Sequence, residues 1–174
     1  FVRTNKQVLV LFWNHLYYIH LKYLRIFKYY TLMNAILAVD DNYGIAKNGN
    51  IPWYSKEDLI FFKNKTDNNV VIMGKNTWNS LNSKVQKVFC DTRICIIVTS
   101  NEEELNYLNF HNFVVCDSVH QAILHARNNY TTKEIFFIGG AKIYEDAYNC
   151  ELIKNVYVTH IQGDYNCDIN VKFL

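Results

Sequence analysis

Between residues 33 and 161 the chain repeats one pattern: a short run of consecutive apolar residues, a polar break, then a segment with helical spacing. The runs are Asn34–Val39, Val70–Met73, Ile94–Val98, Phe113–Cys116, the one into which Lys133–Ile138 leads, and Val156–Ile161. They are continuous rather than alternating, as in strands covered on both faces. Helical segments fall between them. One runs from about Ser55 to Asn64, one from Gly74 to about Leu81, one from a Ser118 cap through Val119, Ala122, Ile123 and Ala126, and one over Ala141–Tyr148. Such alternation predicts an α/β fold: a doubly wound, mostly parallel central sheet with flanking helices. Ligands of such sheets bind beyond the carboxyl ends of the strands. Thr66–Asn69 reads as a turn, Asn82–Thr92 as polar and irregular, and Asn101–Asn109, with three consecutive glutamates, as a solvated turn or short helix.

A chain of 174 residues, half of them hydrophobic, can bury a full core and fits a single domain. Its formal charge of +2 is unevenly spread. Residues 1–32 hold Arg3, Lys6, Lys22, Arg25 and Lys28 and no acid, while the remainder has 13 basic and 16 acidic residues. The main body is therefore no nucleic-acid binder by charge. Residues 1–32 are crowded with aromatic and aliphatic side chains. An interfacial helix, an organellar presequence and a stretch foreign to the folded protein compete as readings. The third is preferred, because Met33 stands immediately before the first clear strand. The domain boundaries that follow are 1–32 as an extension and 33–174 as the folded domain. Cys90, Cys95, Cys116, Cys150 and Cys167 form no C-x-x-C pair and read mostly as small core residues in a reducing, cytoplasmic compartment. The six histidines lack metal-ligand spacing, so no metal site is expected.

Gly44–Lys63 is the stretch with the most chemical content. Its first part, Gly44-Ile45-Ala46-Lys47-Asn48-Gly49-Asn50-Ile51-Pro52-Trp53, reads as loop. A helix then starts at Ser55, with Leu59 and Phe62 on one apolar face and Asp58 beside it. A carboxylate placed there is partly desolvated, which moves its pKa towards the range where it can handle protons. Ser55-Lys56-Glu57-Asp58 also fits a capping box, in which the acid simply bonds back to the N-cap amide, and on these residues alone the cap is the better reading.

Three strand-to-helix junctions suit phosphate. Gly74-Lys75-Asn76-Thr77 offers free amides, a lysine and a hydroxyl; Gly139-Gly140-Ala141 lets a backbone approach an anion; Thr99-Ser100 ends a strand with two hydroxyls. Each alone is weak, since strand ends carry such residues for turns. Three in one sheet point to a nucleotide with more than one phosphate. There is no Walker motif and no G-x-G-x-x-G. Arg93 either pairs a ligand carboxylate bidentately or is a solvated strand-edge charge. Trp53 and Tyr144, taken alone, read as core aromatics.

In combination these stretches resemble dihydrofolate reductase over residues 33–168. The resemblance rests on Ile36-Leu37-Ala38-Val39, Gly44 to Gly49 with Pro52-Trp53, Asp58-Leu59 with Phe62, Val71-Ile72-Met73-Gly74-Lys75-Asn76-Thr77-Trp78, and Ile138-Gly139-Gly140 with Ile143-Tyr144. It implies that NADPH gives a hydride to C6 of 7,8-dihydrofolate while N5 is protonated. It implies Asp58 as the pterin-pocket acid, Thr159 as its support and Trp53 as a further catalytic-site residue. Ile36, Leu59, Phe62, Lys63, Leu81 and Ile138 would line the substrate site, and Arg93 would hold the carboxylate of the glutamate tail. On the cofactor side it implies Ala38, Gly44, Ile45 and Ala46 in a flap over the nicotinamide. Lys75, Asn76, Thr77, Thr99 and Ser100 would meet the adenosine phosphates, and Gly139, Gly140, Ala141, Lys142, Ile143 and Tyr144 the pyrophosphate and nicotinamide.

The sequence departs from that pattern at Ala46, where the family has a second glycine, and at Cys90-Asp91-Thr92-Arg93, which replaces Leu-Pro-x-Arg. The family also continues with two more strands beside the one expected at Val156–Ile161. Their lack predicts an incomplete carboxyl-terminal part of the sheet, with an unpaired apolar edge. An inactive remnant, or a fragment of a chain fused to thymidylate synthase, is therefore the alternative expectation. A riboflavin-pathway reductase is disfavoured by Trp53 and Asp58.

Overall fold

The computed structural model describes residues 33–101, 103, 105 and 110–174. Residues 1–32 lie outside that range, as does most of Asn101–Asn109, and with them the readings made there. The elements are β1 (Met33–Val39), β2 (Gly44–Ala46), α1 (Lys56–Thr66), β3 (Val70–Gly74), α2 (Lys75–Ser80), α3 (Ser83–Thr92), β4 (Ile94–Val98), β5 (Phe113–Cys116), α4 (Val119–Asn129), β6 (Ile135–Phe137), α5 (Ala141–Asn149), β7 (Ile153–His160) and β8 (Ile169–Asn170).

Six strands form the main sheet in the order β5-β4-β3-β6-β1-β7. Every pairing in it is parallel. The continuous apolar runs are the reason. Val70 to Met73 and Cys95 to Ile97 are fully buried, because helices cover both faces of the sheet. Leu37, Val39, Ile72 and Ile96 face one core cluster with α4 and α5, whereas Ile36, Val71, Met73 and Ile97 face another with Trp78 and Cys90. Ser118 caps α4 as the sequence predicts, accepting from the Gln121 amide, and the face bearing Val119, Ala122, Ile123 and Ala126 is buried. β7 is an edge of the sheet, and Val156 on it is 37% exposed.

Two sequence readings are corrected. Asn82–Thr92 is not irregular: Asn82 accepts a hydrogen bond from the Val85 amide at 3.1 Å and starts the helix α3. The helix is amphipathic, with Val85, Phe89 and Cys90 turned towards protein and Lys84, Lys87 and Asp91 exposed. Its period is present in the sequence and is passed over there because the segment is short and mostly polar. The stretch from Gly44 is not all loop either, since β2 pairs antiparallel with β8 in a separate two-stranded sheet. The partner lies more than a hundred residues away, and strands this short carry no periodicity of their own.

Candidate active site

At their carboxyl ends β3 and β6 run into the starts of α2 and α5, and α1 starts after the loop that follows β2. At α1, Ser55 accepts from the Asp58 amide at 3.2 Å, and its hydroxyl donates to Glu57 at 3.4 Å. The capping box is thus not closed by Asp58. The cap uses its backbone and leaves the carboxylate half-buried, with no hydrogen-bond donor among the described residues. Its charge reaches Tyr144, whose phenol is pushed up in pKa by burial first and by Asp58 second. The Tyr144 hydroxyl donates to the Ile36 carbonyl at 2.8 Å. The fold therefore brings Asp58, Ile36 and Tyr144 to one place. Thr159 sits half-buried beside Ala38 on β7 and is not hydrogen-bonded to Asp58.

The expected apolar face of α1 is only partly covered. Phe62 stacks on Phe89 at 6.0 Å between centroids and, with Leu81 and Ile138, packs against the second cluster. Leu59 is 52% exposed, and Thr66 is the one fully buried residue of the helix. Phe61 meets Tyr157 of β7 edge-on at 6.2 Å, while Lys56, Glu57, Leu59 and Ile60 ahead of it are exposed. Lys63 is exposed as well.

Arg93 is neither a solvated edge charge nor an open carboxylate receptor. It is 4% exposed. Nε donates to Thr66 Oγ1 at 2.8 Å, Nη1 donates to Thr92 Oγ1 at 2.7 Å, and Nη2 lies 2.7 Å from Asp67 Oδ1. That last contact is an ion pair by distance without the alignment of a hydrogen bond. The guanidinium also lies over the rings of Phe89 and Phe62, at 4.7 and 5.7 Å. Burial lowers its pKa and the Asp67 charge opposes that.

On the other side of the edge, α5 starts at Gly140 without a side-chain cap. Gly140 accepts from the Ile143 and Tyr144 amides, which leaves the Ala141 and Lys142 amides pointing out of the helix start. Gly74 donates to Gly139 O at 2.8 Å, which holds the start of α2 against the start of α5. A Cβ on Gly140 would stand 3.5 Å from the Thr77 hydroxyl. Gly139 has φ +109°, and a Cβ there would meet the Tyr144 ring at 3.3 Å; both facts call for glycine. Two helix starts with a hydroxyl across from bare backbone fit a pyrophosphate. Asn76 and Lys142 are exposed, and Lys75 is half-buried. The Ile143 side chain is core, so at most its backbone is available. The Thr99 hydroxyl bonds within its own turn to Asn101, while Ser100 is exposed.

The flap is anchored by residues the sequence reading passed over. Asp40, 2% exposed, accepts from the amides of Asn42, Gly44 and Tyr165 at 2.9, 2.8 and 3.2 Å. Desolvation raises its pKa, but these bonds and the Cys167 thiol outweigh it, and the net shift is downward. Burial first, and the same contact second, push the Cys167 thiol up to about 11. A Cβ on Gly44 would collide with Cys167. Asp168 accepts from the Asn48 amide at 2.7 Å, and Trp53 meets Tyr165 edge-on at 5.2 Å. Asp40-Asp41-Asn42 at a strand end was the available signal, because such side chains bond the backbone two residues on. Ala46 adopts no positive φ, so the missing family glycine causes no strain; the left-handed positions are Tyr43, Asn48 and Gly49.

Among the described residues no cluster could hold a metal ion, and no helix is long and apolar enough to cross a membrane.

Comparison with known proteins adds an independent line. The family profile described as dihydrofolate reductase matches residues 32–173. A dihydrofolate reductase of Buchnera aphidicola (subsp. Acyrthosiphon pisum) is 36% identical over 132 residues, covering 76% of this chain and 73% of the relative. One from Schistosoma mansoni is 33% identical over 147 residues, covering 78% and 75%. A bifunctional dihydrofolate reductase-thymidylate synthase of Daucus carota is 31% identical over 150 residues, covering 80% of this chain but 28% of the relative.

Proposed function

Because the chain belongs to the dihydrofolate reductase family of oxidoreductases acting on CH–NH bonds, we propose that it reduces 7,8-dihydrofolate to 5,6,7,8-tetrahydrofolate with NADPH. The observation that carries this reading is Asp58: a half-buried carboxylate, without a protein donor among the described residues, at the end of the sheet where ligands bind. A pterin presents donors that such a group can accept. The carboxylate would orient the ring and favour protonation of N5, while Ile36, Phe62, Leu81 and Ile138 supply dry walls. Protonated Tyr144 keeps the Ile36 carbonyl in place.

Bound NADPH would supply the hydride. The start of α5, the Thr77 hydroxyl and Lys75 would hold its phosphates. The flap from Gly44 to Trp53 would exclude water, and the tail from Tyr165 to Ile169 supports it. Residues 33–174 are taken as the catalytic domain, working in the cytoplasm, and the plant relatives make a fused or neighbouring thymidylate synthase the partner to look for. The test is loss of NADPH absorbance on adding dihydrofolate. Turnover that collapses in Asp58→Asn supports the reading. No turnover together with no NADPH binding would leave an inert remnant.

A further inference from the structure

The arginine end of α1 carries information that the reductase reading does not use. Asp58, Phe62 and Thr66 follow at intervals of four, so they line one side of the helix. Eight residues at 1.5 Å each put about 12 Å between the acid and Thr66. That is the span from a pterin ring to a carboxylate at the end of a long substituent. Arg93 waits at that distance, but it is already answered. Each of its three nitrogens has a protein oxygen within 2.8 Å, and one of those oxygens belongs to an anion.

Resting on the reductase reading, we propose that Asp67 is a specificity-determining residue: by neutralising Arg93 from within, it makes a carboxylated tail nearly worthless to binding, so the site takes 7,8-dihydropterins with and without that tail. A second carboxylate arriving at Arg93 meets a pair of net charge zero, and it meets the repulsion of Asp67 at short range. Thr66, Thr92, Phe62 and Phe89 fix the guanidinium in its present pose, so it cannot swing outward without breaking these contacts. Asp67 itself sits at the C-cap, held by its amide to the Lys63 carbonyl, and its carboxylate is about one-third exposed. Removing its charge should free the cation for a ligand without unseating the helix.

The experiment titrates the whole chain with dihydrofolate and with 6-methyl-7,8-dihydropterin, which lacks the tail, and follows tryptophan fluorescence. The native chain should bind the two within about tenfold of each other. Asp67→Asn should tighten dihydrofolate about 10- to 30-fold, and that gain should shrink at high salt. Asp67→Glu, which keeps the charge, should stay near the native ratio. A native preference for dihydrofolate above 100-fold overturns the proposal and needs no variant. So does an Asp67→Asn chain in which both ligands change alike. Binding of neither ligand by the native chain instead overturns the reductase reading beneath it.

Discussion

The two ends of α1 hold the two charged groups that the sequence assigns to a substrate, and they are built in opposite ways. At the start, Asp58 lies in a turn whose other side chains are mostly exposed, with its backbone used by the Ser55 cap and its carboxylate without a donor among the described residues. At the finish, Thr66 is fully buried, and Asp67 and Arg93 close on each other beside Phe62 and Phe89. A group that must receive a ligand is kept short of protein partners. A group that holds the fold together has all of them. Spacing in the sequence cannot separate these states, because the partners that close on Arg93, Thr66 and Asp67, stand 27 and 26 positions before it.

Breaking the open end should change chemistry and little else. Asp58→Asn is expected to lower kcat by about 10²- to 10³-fold at pH 7, in the range for a lost proton-handling group, while the melting temperature stays within a few degrees. Steady-state kinetics beside a thermal scan checks both. Breaking the closed end should do the reverse. Arg93→Met leaves Asp67 without its cation and is expected to lower stability by about 2–3 kcal/mol, below the usual cost of a fully buried pair because Asp67 is partly solvated. The urea midpoint reads this directly.

A third site sharpens the comparison by combining both features. Asp40 is buried like Arg93, yet it serves the flap. Asp40→Asn should cost about 1–2 kcal/mol. Its folded pKa lies below the ordinary carboxylate value. Its contribution is therefore complete above about pH 4 and lost as pH falls through the folded value. The native chain should lose stability over that acid window, and the variant should lose less; urea midpoints at pH 7 and pH 3 measure the difference. At the small end stands the Lys87–Asp91 pair of α3, close at 2.6 Å but with side chains 68% and 55% exposed. Asp91→Asn should move stability by less than about 0.5 kcal/mol. A larger change would show that proximity, rather than burial, sets the ranking.

Much of the framework was legible. The strand runs at Val70, Ile94 and Phe113 and the helix capped by Ser118 stand where apolar patterning puts them. Those signals are local and repeated, and burial on both faces of the sheet leaves them uninterrupted. What escaped was held together by distant partners. β2 exists because β8 returns to it, and Asp40 matters because Tyr165 and Cys167 come back to meet it. α3 escaped for a different reason: its period, Val85 with Phe89 and Cys90, is local and legible, but it is short and set among polar residues that read as loop.

The strand runs, their mostly parallel arrangement, the glycine junctions and the presence of one acid beside an aromatic loop were legible in the sequence alone, since each shows in residues within a few positions of one another. The strand order, by contrast, rests on pairings such as Asn34 with Phe136 that only the fold makes. Which charged groups stay open and which are matched was decided only on folding. Arg93 and Asp67 are 26 positions apart, and their pairing needed the end of α1 to settle beside the start of β4, where the guanidinium is buried and takes its partners from protein rather than from water.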